Sequence, residues 1–336
     1  MLNFCTLFNT TYLSRGLAMY QSLKQQCGTG FHLYIFAFDQ HCFEALTKLK
    51  LTQVSIVNLK EFENEALLAV KPGRTAQEYC WTCASSTIKF CIENFNLDHC
   101  TYVDADLLFF KNPQVLIDEM QDKSVLITPH RYTPEYDQTI ASGVYCVQFL
   151  TFKNNAEGME VLNWWVNACL DWCFSRCEDN KFGDQKYLDD WAERFSCVHV
   201  LKHPGGGVAP WNVQQYDFNI KSGKCIGTEV SGKQNFDLVF YHYHAFSYSL
   251  NGSYMLTSKG YKLNRNQIKH IYKPYVKALS AAEELVNKNV GGIIPYQTNN
   301  ELEWVKKVLG RNLLFSIRGY YKHFYTKRSF QYSFLY

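Results

Sequence analysis

Tyr102-Val103-Asp104-Ala105-Asp106-Leu107-Leu108-Phe109-Phe110 is an apolar run interrupted by two carboxylates one residue apart. In a strand, residues i and i+2 face the same side. A buried strand over Thr101 to Val103 that ends at Asp104 sends both carboxylates from its carboxyl end toward one point. Two acids held within a few ångströms repel unless a proton or a cation lies between them. The carboxyl end of a parallel strand is where open α/β sheets take ligands, and a hard divalent cation carrying a phosphorylated ligand suits an acidic pair there. The competing reading is a turn, with one Asp capping it and the other facing water.

The flanking sequence alternates strand and helix signals at short spacing, which predicts βαβ units and a mainly parallel sheet. Leu2 to Phe8, Phe31 to Phe38 and Val54 to Leu59 read as apolar strands. Ser14 reads as the cap of a helix running to about Gln26, in which Leu17, Tyr20 and Leu23 share a face. Trp81 to Phe95 is the helix that delivers the chain to the acidic strand. Strands at Val125 to Thr128 and Val144 to Phe152 follow, then a tryptophan-rich helix from Glu157 to Phe174 and a shorter one from Asp184 to Phe195. Val198 to Leu201 and Leu238 to Tyr243 close the pattern. The expected fold class is α/β, Rossmann-like, with a mainly parallel sheet flanked by helices over residues 1–250. Beyond about Leu250 helical, lysine-rich text takes over, so 251–336 reads as a helical, basic and aromatic extension.

With 336 residues and 47% hydrophobic content, the chain is long enough for one large core with an extension. A net charge of +3 gives no global reason to expect nucleic acid. Met1-Leu2-Asn3-Phe4 opens no signal-peptide pattern, and no apolar stretch reaches spanning length. The 13 cysteines therefore read as reduced thiols of a cytoplasmic protein. Cys80 and Cys83 form a lone C-x-x-C, and Cys169, Cys173 and Cys177 lie along one helical face. Without a second C-x-x-C these read as buried small hydrophobes, not as a zinc site. From Glu301 on, the last 36 residues carry seven Lys/Arg, two Glu and ten aromatics, a net +5 against −2 for the remainder. Trp304, Lys306, Lys307, Arg311, Phe315, Arg318, Tyr320, Tyr321, Lys322 and Lys327 suit the interface of an anionic leaflet, or else form the solvated face of a terminal helix.

Three later segments bear on the acidic pair. His242 and His244 stand at strand spacing on one face, and an imidazole added to two carboxylates favours Mn²⁺ over Mg²⁺. Asp184, in Gly183-Asp184-Gln185-Lys186-Tyr187-Leu188-Asp189-Asp190-Trp191, precedes a helix and also reads as its cap. Gly205, Gly206 and Gly207, in a segment ending Pro210-Trp211-Asn212, let backbone N–H groups approach a phosphate, although the text is neither a P-loop nor G-x-G-x-x-G.

Tyr102-Val103-Asp104-Ala105-Asp106 resembles the D-x-D strand of metal-dependent GT-A glycosyltransferases. Asp184-Gln185 and His242-Tyr243-His244-Ala245 resemble, in the same order, the D-Q and H-F-x-G motifs of glycosyltransferase family 8. The longer text from Lys181 to Trp191, with Val198-His199-Val200-Leu201 and Pro210-Trp211-Asn212, is similar to a group of bacterial nucleotide-diphospho-sugar transferases. The likeness covers residues 1 to 250. It implies a GT-A fold in which Asp104, Asp106 and His242, with His244 as the neighbouring candidate, bind Mn²⁺ (or Mg²⁺) across a donor diphosphate. It implies that Asn9, Thr10 and Tyr12 border the nucleotide and that Asp184 and Gln185 sit beside the transferred sugar. The family's K-P-W after the metal histidine is missing, Lys202 is the candidate substitute for its phosphate-contacting lysine, and Gly205 and Gly206 remain phosphate candidates on their own text. Ala141-Ser142-Gly143 stands where the family usually has Asn before Ser-Gly.

The expected function is transfer of a hexose, with retention implied by the likeness, from a nucleotide-diphosphate donor to a saccharide or lipid-linked acceptor. Surface polysaccharide or lipopolysaccharide synthesis is the setting that the likeness implies, with the protein cytoplasmic or peripheral on the inner face of a membrane. A nucleotidyltransferase wants a Gly-rich, Lys/Arg-containing loop after the first strand, which Asn9-Thr10-Thr11-Tyr12 lacks. A non-catalytic carbohydrate-binding module predicts no metal dependence.

Overall fold

The computed structural model describes residues 1–232, 234–248, 253–291, 311–317 and 322–326. Strands β1 (Leu2–Phe8), β2 (Phe31–Ala37), β3 (Val54–Asn58), β4 (His99–Val103), β6 (Val125–Pro129), β7 (Tyr145–Lys153) and β8 (Val198–Val200) form one sheet in the order β3-β2-β1-β4-β7-β6-β8. All run parallel except β7, which is antiparallel to both neighbours. β5 (Leu107–Phe109) leaves this sheet and pairs antiparallel with β12 (Phe240–His242). β9 (Tyr216–Lys221), β10 (Lys224–Glu229) and β11 (Asn235–Asp237) make a small antiparallel sheet between them.

The central strands read as continuous apolar runs because both faces are covered. In β1, Cys5 and Leu7 point into one core while Leu2 and Phe4 point into the other. Helices α3 (Ala76–Asn94) and α4 (Ala156–Asp171) cover the first face, contributing Cys83, Ile88, Cys91 and Trp165. Helices α1 (Leu13–Cys27) and α2 (Gln40–Leu49) cover the second, with Leu13, Leu17, Leu23 and Leu46. Fully burying each such Leu or Phe contributes about 1.5–3 kcal/mol. At Gly16 an added Cβ would lie 2.4 Å from the Phe8 ring, so α1 crosses β1 closely.

Helix α5 (Lys273–Asn289) sends Ala282 and Val286 into the core under α1, and Tyr275 stacks on Tyr243 at 3.6 Å. Residues 253–291 thus share cores with the first 250 residues. A short helix, Arg311–Ile317, follows. Trp304, Lys306, Lys307, Arg318, Tyr320, Tyr321 and Lys327 of the basic aromatic tail lie outside the described residues. No helix among the described residues is long and apolar enough to cross a membrane.

Three expectations change. Helix α1 begins at Leu13, with Tyr12 at its cap position and Ser14 inside it. The helix expected from Asp184 to Phe195 is a 3₁₀ turn at Lys186–Leu188 and a single turn at Trp191–Arg194. The strand expected through Tyr243 stops at His242.

Candidate active site

β4 ends at Val103, and Asp104-Ala105-Asp106 forms the turn into β5, closed by a 3.4 Å bond from the Leu107 N–H to the Asp104 carbonyl. The β5–β12 register sets His242 opposite Leu107, which brings its ring over the turn. His242 Nε2 lies 3.2 Å from Asp106 Oδ1 and 3.7 Å from Asp104 Oδ2. One ligand atom from each of Asp104, Asp106 and His242 lies within 4.8 Å of the others. The Tyr102 hydroxyl donates to Asp104 Oδ1 at 3.1 Å from the same face of β4. The group sits beside the boundary between β1 and β4, where chain progression across the sheet reverses, the position at which open α/β sheets take ligands.

Burial pushes Asp104 up to about 6, partly opposed by His242 and reinforced by Asp106. Burial would also raise Asp106, but the charge and hydrogen bond of His242, with help from Arg15, hold its carboxyl below the usual range. His242 is raised well above an ordinary histidine: burial opposes its charge, and Asp106 outweighs that. The two acids are thus balanced by positive charge, and two hard oxygens with one imidazole nitrogen are a donor set that suits a first-row divalent ion such as Mn²⁺.

The loop after β1 borders this group. Burial and the negative charge of Asp106 raise the Tyr12 hydroxyl, and the Arg15 guanidinium lies 4.3 Å from the Tyr12 ring centroid. Arg15, buried, donates to the carbonyls of Thr11 (3.2 Å) and Phe246 (3.0 Å), tying the loop after β1 to the segment after His242. Asn9 Oδ1 caps the turn by accepting from the Thr11 N–H at 3.1 Å, and the Thr10 N–H donates to Asp39 Oδ2 at 2.7 Å. Asp39 also caps α2 by accepting from the Cys42 N–H. Arg15 and Asp39 carry no motif signal. Their place one turn after Tyr12 and at the end of β2 is the only clue in the sequence.

Asp184 is 5% exposed, and burial with the charge of Asp104 pushes its carboxyl up to about 8. Gln185 Nε2 donates to the Ser142 carbonyl at 2.7 Å. Buried Lys186 donates to Asp189 (3.0 Å) and to the Thr139 carbonyl (3.2 Å), and Asp189 Oδ1 accepts from the Val144 N–H. The D-Q segment therefore holds the helical turn Thr139–Ser142 and the Gly143–Val144 link into β7, and its acids make no helix-capping hydrogen bond.

Two groups of expected residues lie outside the three-ligand cluster. Gly205 and Gly206 spend their N–H groups on His203, on its Nδ1 and its carbonyl. A Cβ on Gly205 would lie 2.0 Å from the Asp237 carbonyl oxygen, so packing beside β12 requires this glycine. Lys202 is exposed, and its N–H donates to Glu119. These contacts engage the backbone N–H groups of Lys202, Gly205 and Gly206 within the protein. His244 also stands apart from the three-ligand cluster. The strand ends at His242, Ala245 takes φ +60°, and the chain turns away. The His244 ring remains 5.9 Å from that of His242, with the Trp211 ring 5.4 Å from each. Trp211 Nε1 and Asn212 Nδ2 both donate to the His130 carbonyl, so Pro210-Trp211-Asn212 buttresses His242. His242→Ala should weaken Mn²⁺ binding at least ~10-fold, against a minor effect of His244→Ala. A calorimetric titration giving the reverse order moves the ligand to His244.

No family model matches the chain. The solved galactosyltransferase LgtC, in complex with donor and acceptor sugar analogues, is 12% identical over 91% of this chain and 100% of that one, with a TM-score of 0.49. The apo glycosyltransferase GlyE of Streptococcus pneumoniae TIGR4 is 12% identical over 85% of this chain and 62% of its own, with a TM-score of 0.47. Mouse xyloside xylosyltransferase 1 is 12% identical over 60% of this chain and 85% of its own, at 0.43. The uncharacterized protein YfnF of Bacillus subtilis (strain 168) is 29% identical over 310 residues, 90% of this chain and 95% of its own. The uncharacterized protein YfnD of the same strain is 30% identical over 288 residues, 82% of this chain and 87% of its own. The chain belongs to the same protein family as YfnD.

Proposed function

We propose that this chain is a metal-dependent GT-A glycosyltransferase, of the family 8 type, that moves a hexose from a nucleotide-diphosphate donor to a saccharide or lipid-linked acceptor. The observation that carries the reading is the convergence of Asp104, Asp106 and His242 within 4.8 Å, at the end of β4 and next to the loop after β1. A sugar bound to a nucleoside diphosphate leaves poorly until the diphosphate charge is neutralised. A divalent ion held by Asp104, Asp106 and His242 would supply that neutralisation as a Lewis acid.

The chain's own residues supply position. Asn9, Thr10 and Tyr12 form the wall against which the nucleotide lies, with Tyr12 held by Arg15 and Thr10 by Asp39. Asp184, buried behind Asp104, faces the transferred sugar and orients its hydroxyls. Gln185, through Ser142, fixes the loop that closes the sugar side of the crevice. Retention of configuration, and a place in surface polysaccharide or lipopolysaccharide synthesis, belong to this reading through the motif likeness.

A thermal-shift screen of nucleotide sugars with and without Mn²⁺ tests it. Ligand that binds only the folded state raises the melting temperature, by about 2.7 kcal/mol of stability at 100 times Kd. A shift requiring both a nucleotide sugar and Mn²⁺, with nucleoside diphosphate released on prolonged incubation, is expected. Shifts indifferent to the metal across the panel overturn the reading.

The +5 tail from Glu301 fits an anionic leaflet on the inner face of a membrane, through charge and aromatic anchoring together. Truncation after Asn300 should reduce sedimentation with anionic vesicles and leave donor hydrolysis intact, and added salt should mimic it. Full-length protein that ignores such vesicles at low salt removes the membrane from the reading.

A further inference from the structure

We propose that Cys5, Cys91 and Cys100 form a binding site for a soft, thiophilic ion, and that trivalent arsenic is the chemistry that fits it. Cys5 lies in β1 and Cys100 in the neighbouring β4, whose register pairs Cys5 with Tyr102. Cys91 comes down from α3 onto this strand pair. All three are fully buried, and their sulfur atoms lie within 4.8 Å of one another. The Thr87 hydroxyl sits 3.6 Å from Cys5 Sγ. None of these groups has a part in the sugar-transfer reading.

The donor set selects the ion. Sulfur-only ligation favours soft ions over Mg²⁺, Ca²⁺ or Mn²⁺. Closed zinc sites take four ligands, whereas among the described residues this group offers three. Charge then narrows the choice. The surroundings are the apolar core of Leu7, Ile88, Ile92 and Tyr102, where net charge is strongly disfavoured. A divalent ion on three thiolates leaves one negative charge, whereas a trivalent one leaves none. With arsenous acid, three S–H bonds and three As–OH bonds break, three As–S bonds form, and three waters leave. No electron changes hands.

Access comes from the end of α3. Cys91 is three residues from Asn94, the last residue of that helix, and terminal turns open at low free-energy cost. An occupied site ties β1, β4 and α3 together beneath the strands that carry Asn9–Tyr12 and Asp104–Asp106.

Full-length, reduced protein incubated with arsenite alone, without competing dithiol, is expected to gain one arsenic and lose three hydrogens by native mass spectrometry. Its melting temperature should rise with arsenite concentration. Cys91→Ala should lose the adduct, and Cys169→Ala/Cys173→Ala should keep it. If Cys91→Ala does not fold, alkylation of the wild-type adduct after unfolding should leave Cys5, Cys91 and Cys100 protected as a set. Absence of an adduct on the native protein, loss of only two hydrogens, or protection mapping to Cys169 and Cys173 overturns the proposal. A larger melting shift with Zn²⁺ than with arsenite, abolished by Cys91→Ala, overturns the trivalent assignment.

Discussion

Asp104→Asn and Asp106→Asn are each expected to abolish metal-dependent donor binding while shifting the melting temperature in opposite directions. Each substitution removes one negative charge and one metal-binding oxygen without opening a cavity. The loss in donor turnover should be roughly 100-fold or more, since charge neutralisation by a metal is worth several kcal/mol and each 1.36 kcal/mol is tenfold. The stability effects differ because the two carboxyls sit differently. Burial raises Asp104 to about 6, above its ordinary value of 3.8, so the free protein loses stability as pH rises from about 4 through 6. Asn relieves that burden and can still accept the Tyr102 hydroxyl, so Asp104→Asn should melt slightly higher at pH 7.5. Asp106 is held below its ordinary value by His242, so its ionised form stabilises the fold, and that contribution is lost as pH falls through the folded value. Asp106→Asn strands a buried imidazole and should melt lower. Differential scanning fluorimetry at pH 7.5, with and without Mn²⁺ and nucleotide sugar, reads both effects. An undiminished Mn²⁺-dependent ligand shift in both variants means the metal lies elsewhere.

The central sheet is legible in the sequence because its strands are buried on both faces. Runs such as Leu2–Phe8 and Tyr145–Lys153 divide their side chains between two cores and leave no polar alternation to confuse the reading. The acidic turn is legible for a related reason: the apolar strand ends abruptly in two carboxylates, which marks both the strand end and the pair that the fold brings to His242. What misleads is polar text whose partners are distant in sequence. The segment after Gly183 carries acids where a helix start would have them, yet Lys186 and Asp189 reach Thr139 and Val144, more than 40 residues away. Gly183 itself takes φ +54°. The helix gives way to two short turns because these side chains serve the loop. The glycines at 205–207 look like a phosphate cradle, and only the fold reveals the Asp237 carbonyl against which Gly205 packs. The hairpin at Tyr216–Glu229 escapes the strand reading because much of it is exposed, although Ser222-Gly223 marks its turn with positive φ at both positions. His244 shows the limit of spacing arguments. Strand periodicity applies only while the strand lasts, and the strand ends at His242, two residues short of His244, although both rings still pack on Trp211.

Asp184→Asn should make the protein more heat-stable and far less active, a combination a helix cap would not produce. Burial and the nearby Asp104 charge raise the Asp184 carboxyl to about 8 from an ordinary 3.8. An acid whose folded value is raised binds its proton more tightly in the native state. The free wild-type protein therefore loses stability as pH climbs from about 4 toward 8, and Asn, neutral throughout, removes that loss. The variant should melt at about the wild-type temperature near pH 4 and several degrees higher at pH 8, since each unit by which the folded carboxyl is raised corresponds to about 1.4 kcal/mol. Turnover should fall by about 100-fold or more, because an amide offers the transferred sugar one acceptor oxygen and cannot ionise, whereas the carboxyl offers two and can ionise once a bound cation offsets the Asp104 charge. Affinity for the nucleoside diphosphate product with Mn²⁺ should hardly change, since the product lacks the sugar. Stability sacrificed at a buried acid beside the reacting centre is a recurrent mark of functional sites. A drop in melting temperature at pH 8, or a parallel loss of nucleoside diphosphate affinity, would assign Asp184 to structure.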